Sequence, residues 1–385
     1  MNETPTVGSV ESLHASATKI TGLRDFGGDD YLAGLRLLVE SMNSEAELTP
    51  LGAKVFRAFL RGALVARLLS EAGFAAHPGH AEVAIERPIF VTGLPRTGTT
   101  ALHRLLTADP NNQGLEMWLT EFPQPRPPRD TWVQNPAYTR IDEGIRQHQI
   151  DNPEFMGVHF MSASEVEECW QLLRQSAMSV SYETLAYIPT YSKWLAAQDW
   201  TGAYARHRRN LQLIGMPDQE RRWVLKNPSH LFALDALMHV YPDALVIQTH
   251  RNARTAMASA CSLAEHATRG WSSKFCGDVI GQTQADLWQR GLSAFTDARK
   301  RYPAAQFLDV DYGDFVADPM GTVEGIYLYF DIPMTTSAHD AMASMHSEST
   351  SGQRKPVHRY TLADFGLTEA DIDARFGSLV STRPS

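Results

Sequence analysis

Several kinds of protein are excluded by what this sequence lacks. It has three cysteines, Cys169, Cys261 and Cys276, in no metal-ligand spacing and in no even set for disulfides. A reduced, cytoplasmic setting is therefore expected. No run approaches ~18 uninterrupted apolar residues, so no transmembrane helix is expected. Met1-Asn2-Glu3-Thr4-Pro5 has neither the basic nor the apolar region of a secretory signal. Basic residues are in deficit: 35 Lys and Arg stand against 44 Asp and Glu, a net charge of −9. That balance argues against general nucleic-acid binding, so any anion site must be local. No internal repeat and no low-complexity tract is present.

What is present is an ordinary soluble composition, 43% hydrophobic and 21% charged over 385 residues, enough for a sizeable core. The chain is organised around residues 88–106. Ile89, Phe90, Val91 and Thr92 read as a short buried strand, and residues 93–99 as a turn of small residues. Ala101, Leu102, Leu105 and Leu106 then recur at helical spacing. Strand, glycine-bounded loop and helix form the layout that cradles phosphates, because backbone N–H groups and a helix N-terminus converge on one anion. One residue of the ATPase pattern is missing. Gly93 and Gly98 have the right separation, but Thr99 stands where a lysine would reach the β- and γ-phosphates. The cation has moved into the loop as Arg96. Such a loop suits a diphosphate-like group with no required metal.

Pro95-Arg96-Thr97-Gly98-Thr99-Thr100 resembles the 5′-phosphosulfate loop of sulfotransferases that use 3′-phosphoadenosine 5′-phosphosulfate (PAPS). That family places Lys or Arg, then Ser or Thr, then Gly-Thr-Thr. Arg251-Asn252-Ala253-Arg254-Thr255-Ala256-Met257-Ala258-Ser259 is similar to its 3′-phosphate motif, an Arg at a strand end and a Ser eight residues later. Arg251 there can fork onto a phosphate, and Ser259 two turns into the helix must face the same groove. Either residue alone would be weak evidence. With the loop, they imply a nucleotide carrying two separated anionic groups. The family also closes its nucleotide site with a late basic segment. Gly352, Arg354 and Lys355 are the nearest match, though the common Arg-Lys-Gly triplet is absent.

The rest of the chain supplies the scaffold. Residues 1–30 are polar and mixed. Leu32, Leu35, Leu37, Leu38 and Met42 predict an amphipathic helix, and Thr49-Pro50 an N-cap with proline at the first helical position, opening a helix to Gly73. Residues 1–85 are thus expected as a helical extension packed on an α/β domain of residues 86–385. Asp109-Pro110-Asn111-Asn112 signals a turn, and residues 121–136, with five prolines, an extended loop. Ser164 with Glu167 three residues on reads as a capping box opening a helix. Residues 166–215 read mainly as helices rich in Trp and Tyr. Strands are expected at residues 223–226, 244–249 and 307–311, alternating with helices. This is the α/β pattern of a P-loop-like central parallel sheet flanked by helices, with an added helical N-terminal layer.

The resemblance implies sulfuryl transfer from PAPS, as co-substrate and without metal, to a hydroxyl of a small-molecule, lipid or glycolipid acceptor. Arg96 would offset charge on the leaving phosphate, and Pro95, Thr97, Gly98, Thr99 and Thr100 would hold the 5′-phosphosulfate. Relatives use Glu or His as the base. Glu116, 20 residues after Arg96 and near the expected end of the next strand, is one candidate. His159, whose ordinary pKa near ~6.5 suits the task, is the other. Each has a plainer reading, Glu116 as a salt-bridged carboxylate and His159 as a core histidine. Lys226, at another strand end, would assist at the sulfate or the leaving group. The alternatives are a P-loop kinase or NTPase, opposed by Thr99 and the Arg251/Ser259 pair, and a nucleotide-binding protein without catalysis.

Overall fold

A computed structural model describes residues 5–151, 162–351 and 360–380. Five parallel strands form one sheet: β1 (Ile89–Gly93), β2 (Asn112–Gln113), β3 (Arg222–Lys226), β4 (Leu245–His250) and β5 (Phe307–Asp311), in the order β2-β3-β1-β4-β5. Every residue of β1 is buried, which its unbroken apolar run requires of a strand covered on both faces. Ile89 pairs with Val224 on one side and with Leu245 on the other. β1 lies between β3 and β4, and the strand order continues from it to β3 and β2 on one side and to β4 and β5 on the other. Ligands bind outside the carboxyl ends of strands at such a switch point. The glycine loop emerges there, flanked by the ends of β3 and β4.

The two helices predicted here are present, as Leu32–Ser44 and as Pro50–Ala76, which runs three residues past the expected Gly73; the second is capped by the Thr49 hydroxyl and has Pro50 in its first turn. A further helix, Val10–Thr21, lies in the segment read from sequence only as polar and mixed. Its apolar stripe is thin, with Leu13 and Ala17 as the buried positions, and Ser9 and Ser12 close a capping box in place of the more readable Ser-x-x-Glu pattern. Arg67, buried on the Pro50–Ala76 helix, ties this layer to the rest of the chain. It donates to the carbonyls of Phe26, Gly28 and Gln175 and pairs with Asp30. One cluster of buried apolar side chains runs from Leu13, Leu35 and Phe56 to Leu173, Tyr191 and Leu225.

The capping box expected at Ser164 and Glu167 is not formed. Glu165 and Glu167 use their backbones to bond the 115–117 segment, Glu167 N–H to the Leu115 carbonyl at 2.8 Å and Met117 N–H to the Glu165 carbonyl at 3.0 Å. That non-local pairing takes the groups a helix would need, and the helix starts later, as Trp170–Arg174. The Trp- and Tyr-rich region holds two further helices, Pro189–Ala196 and Thr201–Ile214, with turns between. Among the described residues, no helix is long and apolar enough to cross a membrane.

Candidate active site

The loop after β1 has the shape its sequence promises. Gly93 has φ +147°, and a Cβ there would lie 2.5 Å from Thr249 Oγ1 and 2.6 Å from the Thr249 carbonyl oxygen. Gly98 has φ +88°, and its Cβ would meet the Tyr312 ring at 2.9 Å. Both positions require glycine. Arg96 also lies in the left-handed region, at φ +68°, a backbone cost that clusters at functional sites. Gly98 is the N-cap of the helix Thr99–Thr107 and has no side chain to cap it. The first-turn N–H groups of that helix are therefore available to an anion.

Within the loop the threonines divide their work. The Thr97 hydroxyl donates to the Leu94 carbonyl at 2.6 Å and pairs with Thr249 Oγ1 at 2.6 Å, and the residue is 1% exposed. Expected to face the ligand, its side chain instead braces the loop against β4. Thr100 faces the other way, its hydroxyl accepting from Lys226 Nζ at 3.2 Å.

The second motif meets the first. Arg251, just past β4, donates from Nη1 to the Arg96 carbonyl at 2.9 Å and lies 4.2 Å over the Tyr312 ring. Ser259 is 3% exposed, and its hydroxyl accepts from Arg96 Nε at 3.0 Å. Tyr360 donates to the same hydroxyl at 2.9 Å. Arg96, Arg251 and Ser259, about 155 residues apart in sequence, thus form one cationic cluster beside an anion cradle. Arg96 contributes its backbone to the loop and its side chain to Ser259. Tyr312 and Tyr360 were not singled out by sequence reasoning; Tyr360 closes the basic tail cluster, the one signal that could have pointed to it.

On the far side of the loop, Lys226 ends β3 and is 2% exposed. Its ammonium reaches Thr100 Oγ1 and forms an ion pair with Glu168, which is 8% exposed. Glu168 is held there because Cys169 N–H donates to the Lys226 carbonyl at 3.1 Å.

Glu116 lies just past β2, near the end of the strand that follows the loop helix, as expected. β2 pairs with β3 and is the edge strand, with β3 between it and β1. Glu116 Oε2 accepts from Arg126 Nε at 3.0 Å, and Arg126 also donates to Asp218 at 2.8 Å, to Gln113 Oε1 at 2.7 Å and to the Gly114 carbonyl at 2.6 Å. Burial pushes the Glu116 carboxyl above the usual carboxylate range, with Arg126 opposing. A carboxylate paired in this way helps to hold Arg126 in place. Glu116→Ala should therefore destabilise the fold by about 3 kcal/mol, because it leaves a buried guanidinium with fewer counter-charges. Calorimetric unfolding should show a drop of several degrees. A hundredfold loss of turnover with unchanged unfolding would return Glu116 to the role of base. His159, Gly352, Arg354 and Lys355 lie outside the described residues. Among the described residues, no group of three or more His, Cys, Asp or Glu side chains could hold a metal ion.

Comparison with known proteins follows this geometry. The model of the sulfotransferase family matches residues 88–336, which span the loop, Lys226 and the Arg251/Ser259 pair. The crystal structure of sulfotransferase STF1 from Mycobacterium tuberculosis H37Rv is 58% identical and superposes with a TM-score of 0.91, over 97% of this chain and 100% of that one. Sulfotransferase STF9 from Mycobacterium avium is 26% identical with a TM-score of 0.88, over 100% of this chain and 98% of that one. The omega-hydroxy-beta-dihydromenaquinone-9 sulfotransferase Stf3 of Mycobacterium bovis is 21% identical over 272 residues, 65% of this chain. The match spans 64% of the length of that curated relative.

Proposed function

The chain belongs to the sulfotransferase family, and from that premise we propose that it moves a sulfuryl group from PAPS to a hydroxyl of a small-molecule or lipid-like acceptor. The observation that carries the reading is the meeting of Arg96, Arg251 and Ser259 beside the glycine cradle. In this reading the loop N–H groups, Pro95, Gly98, Thr99 and Thr100 hold the 5′-phosphosulfate. Thr97 fixes the loop from behind. Arg251 and Ser259 hold the 3′-phosphate, and Arg96 spans the two anion positions. The resemblance assigns Arg354 and Lys355, outside the described residues, to the same nucleotide. The cradle suits such a donor because Gly93 and Gly98 hold backbone conformations that a side chain would strain, which lets the loop turn back tightly at the N-terminus of its helix.

Sulfuryl transfer demands charge neutralisation on the leaving phosphate, which these cations provide without a metal. Lys226, at Thr100, supplies a further positive charge at the cradle's opposite side. A lipid-like acceptor is favoured by analogy, since the curated relative bears the name of a hydroxylated dihydromenaquinone.

The test is transfer from radiolabelled PAPS to a panel of phenols, sterols and long-chain alcohols. Transfer should survive EDTA, and ATP should not be hydrolysed. Strict magnesium dependence with ATP turnover would put the protein among the P-loop kinases and NTPases. Tight binding of adenosine 3′,5′-bisphosphate with no transfer to any acceptor would make it a binding protein.

A further inference from the structure

We propose that the pocket between the Pro50–Ala76 helix and the side chains of Glu121, Gln171 and Arg174 receives the acceptor, and that it recognises a second, neutral hydroxyl on that molecule, as on a diol or a polyol ring. The proposal rests on the sulfotransferase reading above.

The pocket has a volume of about 50 Å³. One wall is the Pro50–Ala76 helix, which presents small residues there, Gly62 among them, together with the Phe59 ring. The other wall is polar. Arg174 is 7% exposed, and its guanidinium carbon lies 5.0 Å from the centre of the Phe59 ring and 5.2 Å from that of Tyr182. Its Nε donates to Ser181 Oγ at 2.8 Å and its Nη1 to Gln171 Oε1 at 2.8 Å. Among the described residues its Nη2 has no hydrogen-bond partner, and the guanidinium forms no ion pair. A buried cation left in that state is costly, and its spare donor calls for a functional explanation.

Glu121 completes the wall. Its Oε1 accepts from Gln171 Nε2 at 2.6 Å. Its Oε2 has no hydrogen-bond partner among the described residues and faces Gly62, where an added Cβ would lie 3.7 Å away. Desolvation pushes the Glu121 carboxyl above the usual carboxylate range, with Arg174 opposing. Gln171 thus bridges a guanidinium and a carboxyl, and each of the two has a group to spare. A spare donor near a spare acceptor matches a hydroxyl, which accepts one hydrogen bond and donates another. An anion there would meet Glu121, and a cation would meet Arg174, so a neutral group suits the pair better than either.

The pocket is also in the right place. Gln171 and Arg174 follow Glu168 by three and six residues. At ~1.5 Å per helical residue they lie about 5 and 9 Å further along the chain direction. Glu168 pairs with Lys226, whose ammonium touches Thr100 at the start of the loop helix. A ring or a short chain spans that distance, so one molecule can hold its second hydroxyl in the pocket and its first at the cradle.

Matched acceptors provide the test, with labelled PAPS as donor: tyrosol against 4-ethylphenol, which lacks the terminal hydroxyl, and octyl β-glucoside against 1-octanol. In the parent protein at least one dihydroxy or polyhydroxy member should exceed its partner in kcat/KM by about tenfold or more. Arg174→Gln should bring that ratio to within about threefold of unity, through a raised KM for the favoured member. Gly62→Ala places its methyl in ordinary contact with Glu121 Oε2, where the hydroxyl would sit, and should lower the ratio at least about threefold. That variant carries the test if Arg174→Gln does not fold, because alanine suits the helical backbone at this position. Ratios near unity in the parent for both pairs would overturn the proposal, as would a full ratio in the folded variants or a preference for monohydroxy sterols or alcohols over both diols. Better transfer to 4-hydroxyphenylacetate than to tyrosol would make the pocket an anion site and overturn it too. A parent that binds adenosine 3′,5′-bisphosphate yet sulfates no phenol or alcohol would defeat the transfer reading itself, and the pocket's role with it.

Discussion

Arg251→Ala should erase most of the preference for adenosine 3′,5′-bisphosphate over AMP. In the parent protein the bisphosphate is expected to bind about tenfold to a hundredfold more tightly, because a charge-assisted contact is worth ~1.5–3 kcal/mol. The geometry makes Arg251 the centre of that difference. It follows β4 directly, its guanidinium is stacked over Tyr312, and its Nη1 is engaged with the loop carbonyl of Arg96. A planar group held by one ring and one carbonyl can present its remaining donors bidentately to a phosphate. Arg251→Lys keeps the charge but not the fork, and should recover only part of the preference. AMP affinity should fall slightly in Arg251→Ala, since the Arg96 carbonyl loses its prop. Calorimetric titration of both nucleotides decides the matter. Equal affinities in the parent protein would remove the 3′-phosphate site from the reading, and with it the strongest argument for PAPS.

The second large effect concerns a single methyl group. Gly93→Ala should reduce bisphosphate binding by at least about a hundredfold, a loss of roughly 3 kcal/mol. The new Cβ would stand within 2.6 Å of the Thr249 hydroxyl and carbonyl, at a backbone angle of φ +147°. The conformation alone costs on the order of 1–3 kcal/mol for a residue with a side chain. The displaced atom matters more, because Thr249 Oγ1 is the partner of the Thr97 hydroxyl that braces the loop. Pushing Thr249 aside releases the loop from β4 and scatters the N–H groups that face the anion. Gly202→Ala is the matched control. Nothing lies within 4 Å of its added Cβ, and it sits on the exposed first turn of a helix. Alanine there should leave binding intact and stabilise slightly. Circular dichroism would establish that both variants fold. Normal bisphosphate affinity in folded Gly93→Ala would show that the loop does not form the anion site.

The site was partly legible because some of its information is local. Glycine spacing, a following apolar helix and an arginine in the turn define an anion cradle within about a dozen residues, whatever the rest of the chain does. The Arg251/Ser259 pair is likewise a strand end and two helical turns, a relation fixed by helix geometry. The alternation of short apolar strands with helices is enough to call for a parallel sheet. Helix ends such as Thr49-Pro50 are local too, and the chain obeys them. Where the signal was weak, as in the thin stripe of Val10–Thr21, an element was overlooked.

What the sequence could not determine was which side chain meets which. Glu116, 20 residues after Arg96, follows the next strand as its spacing suggested, but the strand order sets its neighbours: β3, arriving more than a hundred residues later, inserts between β1 and β2. That insertion brings Lys226, and with it Glu168, to Thr100, and leaves Glu116 to Arg126. The same holds for Thr97, whose hydroxyl looks in sequence like a ligand to the anion and in the fold turns inward to Thr249. Local backbone geometry follows from sterics that neighbouring residues set by themselves. The partner of a buried charge or hydroxyl follows from which distant strand lies alongside, and tertiary packing alone makes that choice.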